Sequence, residues 1–299
     1  MTASYRWANL FWLAAIGVAW GTTPSLARII TQSGVSPLGL TLWQALGGGL
    51  LLLIMCFARG RTLPLSSTHL AFYLFCGVTG TALPTTMLFV VAPRVPVGVL
   101  SMLLAAVPLM TYALSLVCRI DRFATGRLFG IVLGLCAVGL LFVPVDDSTA
   151  VRSTVWIVLT LLIPASYTLE NIYVALRRPP ACDEITLLAG MLLTSAAVLF
   201  PIVGVADAVV SINFPFGKLE WAMLAMIAVN VFSYSIFLYL ISSAGPVFAS
   251  QAGYTVMLCG VAWGIILFGE QHSYWVWASF GLMFLGMAFV KQQPVVSTG

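Results

Sequence analysis

The chain has 299 residues, of which 61% are hydrophobic and only 7% charged, and its net charge is +4. Soluble domains carry about 25% charged residues, so a water-soluble fold is excluded: too little polar surface exists to cover this much apolar side chain. The small basic excess gives no reason to invoke nucleic acid.

An apolar run of about 20 residues crosses a bilayer. Ten such runs are expected, at 9–29, 38–58, 68–91, 97–118, 126–143, 153–175, 184–206, 219–242, 247–268 and 273–290. In the first, Trp20, Thr23 and Pro24 share one helix face. A cleaved leader is the alternative there, since Arg6 precedes the run and Ser25-Leu-Ala27 has small residues at cleavage spacing. The length of the run argues for a retained span. In the third run Thr81 and Thr85 share a face beside Pro84. The fourth carries Pro108. In the fifth, Gly126, Gly130 and Gly134 sit four apart, as do Gly260 and Gly264 in the ninth. Small residues at that spacing let membrane helices approach closely, either within the bundle, which is the expectation, or at a homodimer seam.

The sixth run holds Pro164 and Glu170, the one acidic residue well inside a span. An ionisable group at that depth faces a bundle interior or a water-filled cavity. Tyr167 and Asn171 flank it at helical spacing. Two roles are open: binding a substrate ammonium or proton, or pairing near the helix end with Arg177 or Arg178. The eighth run places Asn230, Ser233, Tyr234 and Phe237 on one face, and the ninth does the same with Gln251, Tyr254, Thr255 and Leu258. Two faces that each join an amide to a tyrosine are expected to wall a cavity, with Tyr234 and Tyr254 flanking a planar solute. The candidate substrate-binding set is therefore Trp20, Thr81, Thr85, Tyr167, Glu170, Asn171, Asn230, Tyr234, Gln251 and Tyr254. Pro24, Pro84, Pro108 and Pro164 are expected to kink their helices, as hinges or static bends.

The chain also reads as two halves. Gly134-Leu-Cys-Ala-Val-Gly139-Leu-Leu-Phe142-Val143 aligns with Gly281-Leu-Met-Phe-Leu-Gly286-Met-Ala-Phe289-Val290 at five identities in ten. Pro96-Val97 then Asp121 precede the first copy, and Pro246-Val247 then Glu270 precede the second. Five spans per half make the halves face opposite ways, an inverted repeat with the substrate site between them. The expectation is one all-α membrane domain over 1–299, with repeats at 9–143 and 153–290. Nine Lys and Arg fall on the side of the termini (Arg6, Arg59, Arg61, Arg119, Arg122, Arg127, Arg177, Arg178, Lys291) against four opposite (Arg28, Arg94, Arg152, Lys218). Positive loops face the cytoplasm, which puts both termini there.

Cys56, Cys76, Cys118, Cys136, Cys182 and Cys259 form no CxxC pair, so no metal site or disulfide framework is indicated. No HExxH, GxSxG, P-loop or dinucleotide glycine pattern occurs. His69 and His272 fall at span edges. Catalytic residues, cofactors and metals are therefore all expected to be none.

Trp20-Gly21-Thr-Thr-Pro24 resembles the opening signature of the drug/metabolite transporter superfamily, in its EamA-like ten-span group. Leu88 to Leu109, ending Ala-Ala-Val-Pro108-Leu109, and Gly269-Glu270 followed by Gly281 and Gly286 resemble later segments of the same group. The first half departs from it, with Asp121-Arg122 standing where the second half has Gly269-Glu270. In length and pattern the chain is similar to bacterial aromatic amino acid exporters of the YddG type. The resemblance implies export of amino acids, aromatic ones included, across the bacterial inner membrane by alternating access. Exporters of other metabolites or of cationic drugs such as methyl viologen are the alternative, and a membrane-embedded enzyme is the alternative of another class. The cavity is expected to be lined by spans one, three, four, six, eight and nine. The partners expected are a small-molecule substrate and the bilayer, with a monomer favoured over a homodimer. Because two arginines follow Glu170, facilitated rather than proton-coupled transport is expected.

Overall fold

The computed structural model of the chain describes residues 3–32, 34–141, 150–180 and 182–289. These form α-helices, one π-helical turn and connecting loops, with no strand among the described residues. Helices over Trp7–Thr31, Pro37–Ala58, Ser67–Val91, Val97–Val117, Thr154–Arg177, Glu184–Val205, Lys218–Ala244 and Pro246–Phe268 are long and apolar enough to cross a membrane. Two shorter ones, Thr125–Leu140 and Tyr274–Gly286, occupy the fifth and tenth positions. The expected ends at 142–143 and 290, and the charges expected beyond 290, lie outside the described residues.

Backbone chemistry sets where the helices start and stop. Pro37 and Pro246 open their helices, where a missing N–H costs nothing. The side chain of Asp183 accepts the backbone N–H of Thr186 at 3.0 Å and caps the seventh span. Phe57, Ile54, Phe129, Leu135, Phe200 and Ile266 point outward and stay exposed. In lipid that outward apolar belt is the favourable arrangement, since hydrocarbon solvates it.

Three of the four marked prolines start a new helical segment. Pro24 opens Thr23–Thr31 after a turn at Thr22, Pro84 opens Leu83–Val91 after the π-turn Val78–Ala82, and Pro108 opens Val107–Val117. Each lacks the N–H that would continue the previous ladder. Pro164 instead lies within the unbroken helix Ala150–Arg177, and Pro201 within Glu184–Val205. The ninth span is interrupted as well, at Gln251, between Pro246–Ser250 and Ala252–Phe268. No proline marks that break, so it leaves no trace in the residue pattern.

Most of the marked small residues pack inside the bundle, although Gly126 is exposed and meets no neighbour. A methyl on Gly286 would strike the Gly130 carbonyl oxygen at 2.7 Å and the Gly134 nitrogen at 3.0 Å, so the fifth and tenth spans touch backbone to backbone. Ser279 donates to the carbonyl of Ala137 across the same seam at 2.7 Å. Gly260 and Gly264 face Ser101 and Gly98 of the fourth span. Gly17 and Gly21 press against Thr255 and Cys259 of the ninth, which brings Trp20 beside the eighth and ninth spans. Close approach of this kind substitutes for the hydrophobic drive that lipid removes.

Candidate functional site

A central cavity of about 130 Å³ lies among the spans. A buried water needs about 10–15 Å³ by this measure, so the space equals that of roughly ten waters. Spans one, three, four, six, eight and nine supply most of its wall; Gln44 of the second and Leu192 of the seventh add one residue each. The described parts of the fifth and tenth spans add none.

Eight of the candidate residues meet at this cavity: Trp20, Thr81, Thr85, Tyr167, Glu170, Asn171, Asn230 and Tyr234. The indole N–H of Trp20 donates to the side-chain carbonyl of Asn230 at 3.1 Å. The Trp20 ring meets Phe237 edge-on at 5.1 Å and Tyr234 at 6.1 Å between centroids. The first and eighth spans thus share an aromatic wall whose polar tip is already bonded.

Glu170, only 1% exposed, lies beside the hydroxyl end of Tyr234. The π-turn of the third span positions it. That turn offers the Thr79 carbonyl to the Ser166 hydroxyl, which donates to it at 2.6 Å. It also sets Gly80 against the sixth span with no side chain between. A carbon added to Gly80 would collide with the Glu170 carboxylate and the Tyr234 hydroxyl together. Asn171 donates to the Thr111 hydroxyl at 3.4 Å and so tethers the sixth span to the fourth.

The cavity's polar atoms are incompletely paired. Glu170 Oε1, Asn171 Oδ1, Gln44 Oε1, Tyr234 OH and Thr23 Oγ1 are buried without a hydrogen-bond partner. Each such group costs about 1–3 kcal/mol when left dry and unpaired. Most of these atoms are obligate acceptors, which fits a guest rich in N–H donors. Among the described residues, the lining contains no Lys, Arg or His.

Among the described residues, neither arginine expected to pair with Glu170 forms an ion pair with it. Arg178 contacts Glu184 at 2.7 Å and donates to the Cys182 carbonyl at 3.0 Å, while Arg177 is exposed. The premise for a permanently paired Glu170 therefore fails.

Gln251 and Tyr254 do not line the cavity. The break at Gln251 turns the ninth span so that Ser250, Ala252, Gly253 and Val256 face inward. Tyr254 instead lays its ring edge-on against Phe284 of the tenth span, 5.8 Å away. The reverse omission is Gln44, an amide in mid-span within an otherwise apolar run and a signal open to inspection. Gly80, Ser250 and Gly253 carried no comparable signal.

Residues 7–143 match the model of the EamA-like transporter family. Over that stretch, just under half of its length, the chain is similar to EamA-like transporters. Curated relatives described as an uncharacterized inner membrane transporter, YedA, come from Escherichia coli K12 and from its O6:H1 and O157:H7 strains. Each is 26% identical over 303 residues, covering 95% of this chain and 93% of the relative. A solved crystal structure superposes with a TM-score of 0.63 at 15% identity over 95% of this chain and 98% of the other, a likeness of fold.

Proposed function

We propose that this chain is a member of the drug/metabolite transporter superfamily, a secondary transporter in the bacterial inner membrane that exports small amine-bearing solutes, aromatic amino acids among them, by alternating access. The observation that carries this reading is the lone Glu170 carboxyl in the central cavity, with orphaned acceptors around it and the Trp20–Tyr234–Phe237 wall beside it. An ammonium group supplies the donors that Glu170 Oε1 and Asn171 Oδ1 lack and a charge opposite to that of the carboxylate, and an aromatic body meets rings. Offset or edge-on ring contacts contribute about 0.5–1.5 kcal/mol beyond area burial.

Relatives described as inner membrane transporters support the location, and the nine-to-four basic asymmetry supports cytoplasmic termini. The helix pairing supports two inverted halves. The second span packs on the seventh, the fourth on the ninth and the fifth on the tenth, while the first meets the eighth as the sixth meets the third. Exchanging each span with the one five places on maps this pattern onto itself.

A second reading has its own observation. With no basic side chain in the lining, an amino acid's carboxylate meets only neutral donors such as Asn230, Thr81 and Thr85. An organic cation without a carboxylate avoids that cost. Purified protein in liposomes, assayed with labelled phenylalanine, tryptophan and methyl viologen, separates the two. Saturable flux of the amino acids supports the first, flux of methyl viologen alone supports the second, and flux of none refutes both.

A further inference from the structure

Glu270, which stands just before the last span, has no part in the cavity. It lies at the far end of the bundle, where the first and ninth spans finish and the fourth begins. Local geometry aims it. Gly269 takes a left-handed φ of 62° and ends the ninth helix, and the Glu270 N–H turns back to the Gly264 carbonyl at 3.3 Å. The carboxylate then reaches into the other half. Its Oε1 accepts the Val97 N–H at 2.6 Å and meets Arg28 Nη1 at 2.5 Å. Its Oε2 accepts the Gly98 N–H at 2.9 Å, with His272 Nε2 3.6 Å away.

The seat is built for this side chain. A methyl on Gly264 would come within 2.6 Å of Glu270 Oε2, and one on Gly98 within 2.6 Å of His272 Nε2. Arg28 is held in turn over the Phe268 ring at 4.7 Å. One carboxylate, with only 8% of its side chain exposed, thus ties the far ends of three spans whose middles line the cavity.

Among the described residues, the near end lacks an equivalent tie. Asp121, at the matching position of the first half, accepts the Arg122 N–H at 2.7 Å and contacts Arg127 at 2.6 Å. Arg127 stacks over Tyr112 at 5.0 Å, so this whole cluster stays within the fourth and fifth spans. The near-end ion pair between halves, Arg61 with Asp183 at 3.0 Å, joins the second and seventh spans, which give the cavity one residue each.

Resting on the transporter reading, we infer that Glu270 is the lock that holds the cavity shut at its far end. Opening there requires the first, fourth and ninth spans to part, and all the Glu270 contacts must break together. The lock therefore biases the equilibrium between the two access states by contacts that exist in only one of them.

The test is hydrogen exchange on the full-length protein in lipid nanodiscs, comparing wild type with Glu270→Gln and Arg28→Gln. Both variants are expected to exchange several-fold faster in far-end peptides covering 22–31, 96–104 and 260–274. They are also expected to exchange more slowly in near-end peptides covering 112–127, 172–180 and 241–251. The opposite-signed change is the decisive signature, because loss of a local cap gives only the first part. Faster exchange confined to 96–99, faster exchange at both ends, or no change in either variant overturns the lock. Absence of flux in liposomes refutes the transporter reading instead, and intact flux with unchanged exchange refutes the lock alone.

Discussion

The carboxylate of Glu170 and the hydroxyl of Tyr234 converge on one point above the α-carbon of Gly80. They come from the sixth and eighth spans, and the third span passes beneath them through a π-turn with no side chain to spare. Gly80→Ala is therefore expected to disturb both groups without altering either. Overpacking costs about 1–3 kcal/mol, and here the displaced atoms are the cavity's own. Flux should fall well below wild type while circular dichroism still reports a helical fold. Wild-type flux and thermal stability would show that the two groups do not act at this point.

The two tyrosines picked out on neighbouring faces now have different expectations. Tyr234 lines the cavity, whereas Tyr254 packs on Phe284. Tyr234→Ala should raise the apparent KM for an aromatic solute several-fold and also lower the melting temperature, since its ring is 8% exposed and packs in the core. Tyr254→Ala should lower the melting temperature by less, because its ring is only partly buried at the ninth–tenth contact, and should leave KM unchanged. Equal effects on KM from both substitutions would refute the separation.

The spans were legible because each is a run of apolar residues at membrane length, and the cavity wall because polar residues at helical spacing have no other reason to sit in such runs. What periodicity cannot reveal is rotation after a helix break. Gln251 and Tyr254 were assigned to the wall by continuing one ideal helix through 247–268, and the nick at Gln251 changes the register. Glu170 stands out as the lone mid-span acid, but its partners do not follow from the sequence. The sequence shows two arginines nearby without showing that Arg178 turns towards Glu184. Gly80 was invisible for a simpler reason: a glycine in an apolar run carries no pattern.

Trp20 and Asn230 should behave as a coupled pair. Their hydrogen bond spans 3.1 Å between the first and eighth spans. Trp20→Phe keeps a ring but removes the donor, and Asn230→Ala removes the acceptor. A neutral hydrogen bond contributes about 0.5–1.5 kcal/mol net. The double variant is expected to lose less stability than the sum of the single losses, by about that amount. Strict additivity in thermal or denaturant unfolding would mean the bond does not form in the membrane.

Orientation follows from loop charge alone and is tested separately. Reporter fusions at Tyr5 and Ser297, both at positions whose side chains lie outside the described residues, are expected to report a cytoplasmic location. A periplasmic signal from either would overturn the even span count or the positive-inside assignment.

The driving force turns on Glu170. Pairing with a neighbouring arginine favoured facilitated transport, and that pairing does not occur: Arg178 is held by Glu184. Glu170 is buried with an orphaned Oε1 and no cation of the protein's own beside it. An ionised carboxylate in such a place carries a penalty of several kcal/mol unless something positive meets it. A substrate ammonium meets it on the outward journey. On the empty return, a proton is the smallest species that can do the same, and its movement against substrate is antiport. Proteoliposomes with an acidic lumen are therefore expected to accumulate labelled phenylalanine inside as protons leave, above the external concentration and above protein-free vesicles. Collapsing the gradient with nigericin should abolish the accumulation. Glu170→Gln, which keeps the shape and removes the charge, should lose accumulation while retaining its melting temperature to within a few degrees. If wild-type vesicles only equilibrate with the outside whatever the gradient, Glu170 binds or orients substrate without carrying protons, and transport is facilitated after all.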